Sequence, residues 1–298
     1  MDYTGLEFGK EGGAEYARFF VNSHFDADRI FDCGQCFRFG RIISADGYPE
    51  WGGVAFGRYI SVRQTGREVT LFGTGGEDFF GIWEKYLGLD ADYGEINRDI
   101  LSRSDNPALA EAVACEDGIR ILAQDPWETL CSFIISQNNN IPRIKHLTEA
   151  LCESAGSPFD PGGMRSHGAP EVCYSFPDPE AVSRLGIDKL REMKTGFRAG
   201  YIQGAAQDIS SGRLMLGAVA SAPSTADAAS MLVRLRGVGP KVAACTLLFG
   251  FGRLDAFPVD VWVKRVIAKY FGDGFRAEEL GSYAGIAQQY LFRHERGF

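Results

Sequence analysis

Apolar and polar residues alternate in the early part of the chain and recur at helical spacing later. Residues 1–20 are polar and glycine-rich, and read as an edge strand or a loose arm. Phe37 and Phe39 then alternate with Cys36, Arg38 and Gly40, and Ile60 and Val62 with Tyr59, Ser61 and Arg63. Val69 and Leu71 continue the pattern. Turn-forming runs, Ala45-Asp46-Gly47-Tyr48-Pro49 and Gln64-Thr65-Gly66-Arg67, separate these stretches. A period of two broken by such turns predicts a small antiparallel sheet between Ile30 and Phe72. Phe79, Phe80, Ile82, Trp83, Tyr86 and Leu87 switch to helical spacing and predict a helix covering that sheet. The expectation is an α+β domain over residues 1–110, followed by a helical body over 111–298.

In the helical body, Pro126 opens a helix with Trp127, Leu130, Cys131 and Ile134 on its apolar face. The pattern breaks at Gln137-Asn138-Asn139-Asn140, and Ile141-Pro142-Arg143 opens the next helix. The three asparagines form either a solvated loop, the commoner case, or a dense set of hydrogen-bonding groups. Residues 153–180 are rich in Gly, Pro and Ser and read as a long connection. Helical signal resumes near Pro179 with Val182, Leu185 and Ile187. Phe197 and Arg198 fall at a helix junction, where the aromatic is either core or a wedge for a base stack. Val263, Val266, Ile267 and Tyr270 give a buried stripe, and a last helix spans about Ala284 to Arg293.

The most specific stretch is Leu235-Arg236-Gly237-Val238-Gly239-Pro240-Lys241-Val242-Ala243-Ala244-Cys245, with Phe257-Pro258-Val259-Asp260-Val261 beyond it. Two glycines and a proline between apolar runs predict helix, hairpin turn, helix. The backbone N–H groups of Gly237, Val238 and Gly239 then sit at a helix N-terminus, a site suited to a phosphate. Such a grip fixes register on nucleic acid without reading bases. Lys241 stands at the start of the second helix among apolar residues, which favours the neutral amine a nucleophile needs. Asp260 either caps the helix after it or stabilises positive charge near Lys241. An amine with a carboxylate partner on such a turn points to imine chemistry at a sugar carbon, against the plainer reading of a surface lysine and a helix cap.

Composition changes this picture little. A chain of 298 residues holds two domains or more. It has no apolar run near the roughly 20 residues needed to span a bilayer, and no secretory pattern at its start, so a cytoplasmic protein is expected. The net charge of −8 counts against charge-driven DNA binding and calls for one positive face, drawn from Arg143, Lys145, Arg191, Lys194, Arg198, Arg236, Lys241, Lys264 and Arg265. Seven scattered cysteines read as free thiols. Cys33-Gly-Gln-Cys36 has a metal-motif gap without a second pair, and His24, His146, His167 and His294 read as surface residues.

Further segments join the hairpin. Gly34-Gln35-x-Phe37-Arg38, Gln124-Asp125-Pro126 through Ser132-Phe133-Ile134, and Asn138-Asn139-Asn140-Ile141-x-Arg143 occur in that order. Gly196-Phe197-Arg198-Ala199 and Ala287-Gln288-x-x-Leu291-Phe292 follow. With the hairpin, this series resembles the 8-oxoguanine DNA glycosylase/AP lyase family of helix-hairpin-helix enzymes. The resemblance runs from about residue 30 to the C-terminus. It implies a TBP-like N-terminal sheet domain and a bifunctional enzyme of base excision repair. Lys241 would attack C1′ and Asp260 would stabilise the charged sugar. Cys245 and Phe292 would sandwich the flipped base, Gln288 would bind its Watson–Crick edge, and the Gly34 carbonyl would accept the N7–H that guanine lacks.

The same resemblance places Asn138, with Asn139 beside it, in the gap left in the duplex. Arg143 and Arg198 would read the orphaned cytosine, and Phe197 would wedge beside it. The carbonyls of Val233, Leu235 and Val238 would hold a structural monovalent cation. No other cofactor is implied, and no cysteine follows Cys245 to build the iron–sulfur cluster of some relatives. The partner would be duplex DNA containing 8-oxoguanine, with no membrane, and the protein a monomer. Trp262 stands where the family often has histidine, and Phe197 where it commonly has tyrosine. Two alternatives stay open: a glycosylase for another damaged base, and a non-catalytic DNA-binding protein.

Overall fold

The computed structural model describes residues 2–22 and 24–297. Its sheet has six antiparallel strands: β1 (Tyr3–Glu11), β2 (Ala14–Val21), β3 (Phe39–Ile43), β4 (Pro49–Ala55), β5 (Arg58–Thr65) and β6 (Glu68–Phe72). Their order across the sheet is β1-β2-β6-β5-β4-β3. The glycine-rich opening thus supplies two strands, with β1 at the edge and β2 paired to β6.

The strand signal expected from Ile30 begins later. Ala27–Phe31 forms a short helix, α1, capped by Asp26, whose side chain accepts from Arg29 N at 3.1 Å. Phe31 stacks on Phe39 with ring centroids 4.6 Å apart. Residues 32–38 form a loop fastened by buried Gln35, whose amide donates to the carbonyls of Ile30 (2.9 Å) and Arg120 (2.8 Å). These bonds replace a strand ladder, so Phe37 turns to the helical core while Phe39 enters the sheet core.

A helix over residues 76–86, α2, covers one face of the sheet with buried Phe79, Trp83 and Tyr86. The connection after residue 153 folds back on the other face through a small ladder, Pro158–Phe159 with Cys173–Tyr174, and a 3-10 turn, Gly162–His167. The long connection is thus packed on the sheet, and one expectation is corrected: His167 is not at the surface. Its ring stacks on Phe72 at 3.9 Å, and its Nδ1 lies 3.0 Å from Glu50 Oε2. Glu50, fully buried, also accepts from Ser61 Oγ at 2.6 Å and Arg63 Nε at 2.8 Å. His24 is likewise engaged, 2.7 Å from Asp117.

The helical body is built around α3 (Tyr93–Ser102), α4 (Pro107–Cys115), α5 (Pro126–Ser136), α6 (Ile141–Ala155), α7 (Pro179–Leu185), α8 (Ile187–Glu192) and α9 (Arg198–Ser210). It continues through α10 (Leu216–Ala220), α11 (Thr225–Leu232), α12 (Pro240–Gly250), α13 (Val261–Val266) and α14 (Ala284–Arg296). Pro126 sits at the first position of α5, and Asp125 caps it through Trp127 N (2.9 Å) and Glu128 N (2.8 Å). Nearly every later residue of α5 is buried, which makes it the central helix. It packs on α12, where Phe133 stacks on Phe249 with centroids 5.5 Å apart. Among the described residues, no helix is long and apolar enough to cross a membrane.

Candidate active site

The hairpin turn follows α11. Val238 N donates to Leu235 O at 3.0 Å, closing the turn. Gly237 has φ +86, and the Tyr201 ring fills the space a Cβ would occupy, so only glycine fits. Gly239 caps α12 without a side-chain hydrogen bond, and Pro240 has no N–H to offer. The next N–H groups at this helix end are available to an anion.

Lys241 lies in the first turn of α12, with Nζ 4.8 Å from the centroid of Phe133. Cys245, one turn on, is buried on the same recess as Lys241. Burial pushes its thiol pKa up, against the pull of Lys241. Asp260 caps α13, its Oδ1 accepting from Trp262 N and Val263 N at 2.9 Å each. The cap reading is therefore correct as geometry, and the same two bonds fix the carboxylate on the cavity it shares with Lys241.

That cavity is an inner recess of about 50 Å³, where Gly34, Lys241, Cys245, Asp260, Gln288 and Phe292 converge. It adjoins an outer cleft of about 530 Å³ that Lys241, Asp260, Gly34 and Phe292 also line, with Asn138, Asn139 and Trp262 on its walls. Gly34 has φ +78, a left-handed conformation that suits glycine. Gln288 is only 3% exposed, and its Oε1 is buried with no hydrogen-bond partner. A buried acceptor without a donor costs free energy, of order 1–3 kcal/mol, and this one lines a hollow rather than packed core. Trp262 lies under the Arg265 guanidinium at 4.8 Å.

The remaining expected residues gather beside the cleft. Asn138 has φ +48, unusual for a residue with a side chain. Asn139 also lines the cleft, but its amide donates to Ile135 O at 3.1 Å. Asn140 caps α6 through Arg143 N at 3.0 Å. Exposed Arg143 reaches Lys194 O at 3.0 Å, and Phe197 stands 55% exposed rather than in the core. Arg198 is treated differently: it is buried, and donates to the carbonyls of Gln137 (2.8 Å), Asn138 (2.9 Å) and Thr195 (3.2 Å). Burial and the nearby Arg143 lower its pKa.

Several residues at the site carried no signal of a role there. Phe133 under Lys241 stood only within a segment shared with the family. Pro258, Cys33 and Gln289 line the recess, and Gln137 Nε2 donates to Gly237 O at 3.0 Å. Among the described residues, no group of three or more His, Cys, Asp or Glu is placed to hold a metal ion.

Comparison with known proteins gives the same architecture. Residues 18–130 match the model of the 8-oxoguanine DNA glycosylase N-terminal domain. Residues 131–279 match that of the HhH-GPD superfamily base excision DNA repair protein. The chain is 37% identical over 256 residues to an N-glycosylase/DNA lyase of Saccharomyces cerevisiae, covering 72% of this chain and 65% of the yeast protein. It is 31% identical over 212 residues to a probable N-glycosylase/DNA lyase of Methanothermobacter thermautotrophicus, covering 60% and 64%. The chain thus spans less than two thirds of the length of these curated relatives. A solved structure of Clostridium acetobutylicum 8-oxoguanine glycosylase/lyase, in complex with dsDNA containing cytosine opposite to 8-oxoG, superposes with a TM-score of 0.87. The identity there is 34%, and 99% of each chain is covered. The chain belongs to the 8-oxoguanine DNA glycosylase family of HhH-GPD base excision DNA repair proteins.

Proposed function

We propose that the protein is a bifunctional DNA glycosylase and AP lyase, acting as a monomer, that removes 8-oxoguanine from duplex DNA, preferentially opposite cytosine. The observation that supports this best is the unpaired Gln288 Oε1, buried in the recess that Lys241 and Asp260 line. It lacks a donor, and the Watson–Crick edge of a guanine-type base supplies two, N1–H and the exocyclic amine. Gly34, whose carbonyl would take N7–H of the oxidised base, lines the same recess.

In the proposed reaction the damaged nucleotide leaves the stack, because its C1′ is shielded inside the duplex. The hairpin N–H groups hold a backbone phosphate. Lys241 Nζ bonds to C1′ as the bond from C1′ to the base breaks, and the base leaves with a proton. Asp260 stabilises the positive charge that develops on the sugar, the usual task of a fixed carboxylate. The C1′–O4′ bond then breaks, O4′ taking a proton as the ring opens to a Schiff base on Lys241; this acidifies a C2′ proton, whose loss expels the 3′-phosphate and cuts the strand. The reaction needs no metal or redox group. The neutral oxygen donors of Val233, Leu235 and Val238 suit a monovalent cation that braces the turn, and Leu235 O keeps a second lone pair beside the one Val238 N–H uses. Cytosine preference follows from exposed Arg143, with Phe197 as the wedge.

The test is excision from duplexes carrying 8-oxoguanine opposite each of the four bases, and from duplexes carrying other damaged bases. Release of 8-oxoguanine with strand cleavage, fastest opposite cytosine and slowed there by Arg143→Ala, is the expected result. Release of a different base instead, or tight binding without any release, overturns the reading.

A further inference from the structure

Three segments face the proposed duplex: the hairpin turn at residues 236–239, the asparagine loop at 137–140 and the wedge turn at 194–198. Each contains left-handed backbone, at Gly237 (φ +86), Asn138 (φ +48) and Lys194 (φ +62). Such conformations persist at non-glycine residues only where the surroundings hold them. Here one chain of contacts joins the three segments. Gln137 Nε2 donates to Gly237 O at 3.0 Å, and the Gln137 carbonyl accepts from Arg198 Nε at 2.8 Å. Arg198 Nη2 reaches Asn138 O at 2.9 Å. On the other side, the Tyr201 ring lies against Gly237 and meets Phe197 edge-on, with centroids 5.8 Å apart. The turn therefore touches the asparagine loop through Gln137 and the wedge through Tyr201.

We infer that Gln137 and Tyr201 are positioning residues that set the register between the phosphate grip and the intrusion into the duplex. A phosphate held at the turn fixes where Asn138 and Phe197 enter the stack beside the orphaned base. Arg198 belongs to the same device: its guanidinium braces the asparagine loop from within. Loss of the Gln137 bond leaves α5 and α12 packed through Phe133 and Phe249, so the fold survives while the two turns lose their common frame. The inference rests on the reading under Proposed function.

The test uses a duplex with 8-oxoguanine opposite a fluorescent cytosine analogue that brightens when unstacked. The full chain carrying Lys241→Gln holds this substrate uncut, and its binding brightens the analogue. Gln137→Met keeps length and bulk and removes the donor. With Lys241 present it lowers the ratio of excision opposite cytosine to excision opposite adenine about fivefold, the scale of one hydrogen bond. In the Lys241→Gln background it removes most of the brightening. Affinity for undamaged duplex, which reads the phosphate grip, stays within about twofold. Tyr201→Leu does the same, whereas Tyr201→Phe, which keeps the ring, behaves as the parent. Thermal melting verifies that each variant is folded, and if Tyr201→Leu does not fold, Gln137→Met alone decides. A folded Gln137→Met that keeps the parent's ratio and brightening overturns the inference. Failure of the underlying reading looks different: the parent itself then excises nothing.

Discussion

Glu50 beneath the sheet and Asp260 at the cleft are both carboxylates placed by the fold, and their surroundings differ in kind. Glu50 is fully buried and met by Ser61, Arg63 and His167, so its oxygens are spoken for. These bonds hold its pKa down against the opposing pull of burial. Asp260 spends Oδ1 on a helix cap and otherwise faces a hollow, with Lys241 and the unpaired Gln288 Oε1 on the same walls. A saturated buried network stabilises one structure. An unsaturated one waits for an outside group, which under the proposed function is the flipped base. Buried polar residues are therefore read by whether their partners are already present, not by burial alone.

Substitutions break or sharpen this contrast. The largest effect is expected at the cleft. Asp260→Asn keeps an oxygen for the cap and removes the charge, so single-turnover excision falls by about 10²–10³-fold, the scale of one electrostatic group, with little change in melting temperature. Glu50→Ala does the reverse. It leaves Arg63 and His167 without their buried partner and lowers stability by about 3 kcal/mol, measured by denaturant unfolding. The excision rate per folded molecule is unchanged. Gln288→Ala removes the waiting acceptor and lowers kcat/KM for the lesion about tenfold, roughly one hydrogen bond to a base, while melting holds or rises.

The smallest effect tests a third carboxyl. Glu128, in the first turn of α5, has its pKa pushed up to about 7 by burial, against the pull of Arg38. The folded state then binds more protons than the unfolded state between about 4.5 and 7, so this group's contribution to stability falls as pH rises through that window and is level above it. Glu128→Gln imitates the neutral acid. It should raise the melting temperature more at pH 8 than at pH 5. A larger gain at pH 5 contradicts the assignment.

Local chemistry was legible in the sequence, and distant pairing was not. The hairpin, its proline and the Asp260 cap follow from the backbone demands of Gly, Pro and Asp within a few residues. The helix over residues 76–86 and α5 follow from apolar spacing. The strand expected from Ile30 failed because alternation over a few residues also fits a loop, and Gln35 draws that loop toward Arg120, 85 residues away. His167 carried no sign of burial, since Glu50 lies 117 residues from it. Three consecutive asparagines read as one feature, and the fold gives them three tasks: Asn138 takes the left-handed bend, Asn139 binds Ile135 and Asn140 caps α6. Arg143 and Arg198 looked equivalent, yet only Arg143 is exposed.

The central claim is that Lys241 bonds covalently to the sugar it strips of its base. Borohydride added during reaction with an 8-oxoguanine duplex reduces a Schiff base to a stable amine. The account predicts a protein–DNA adduct that maps by peptide mass spectrometry to Lys241 and is absent from Lys241→Gln. Base release without any adduct, or an adduct on another residue that survives in Lys241→Gln, contradicts it.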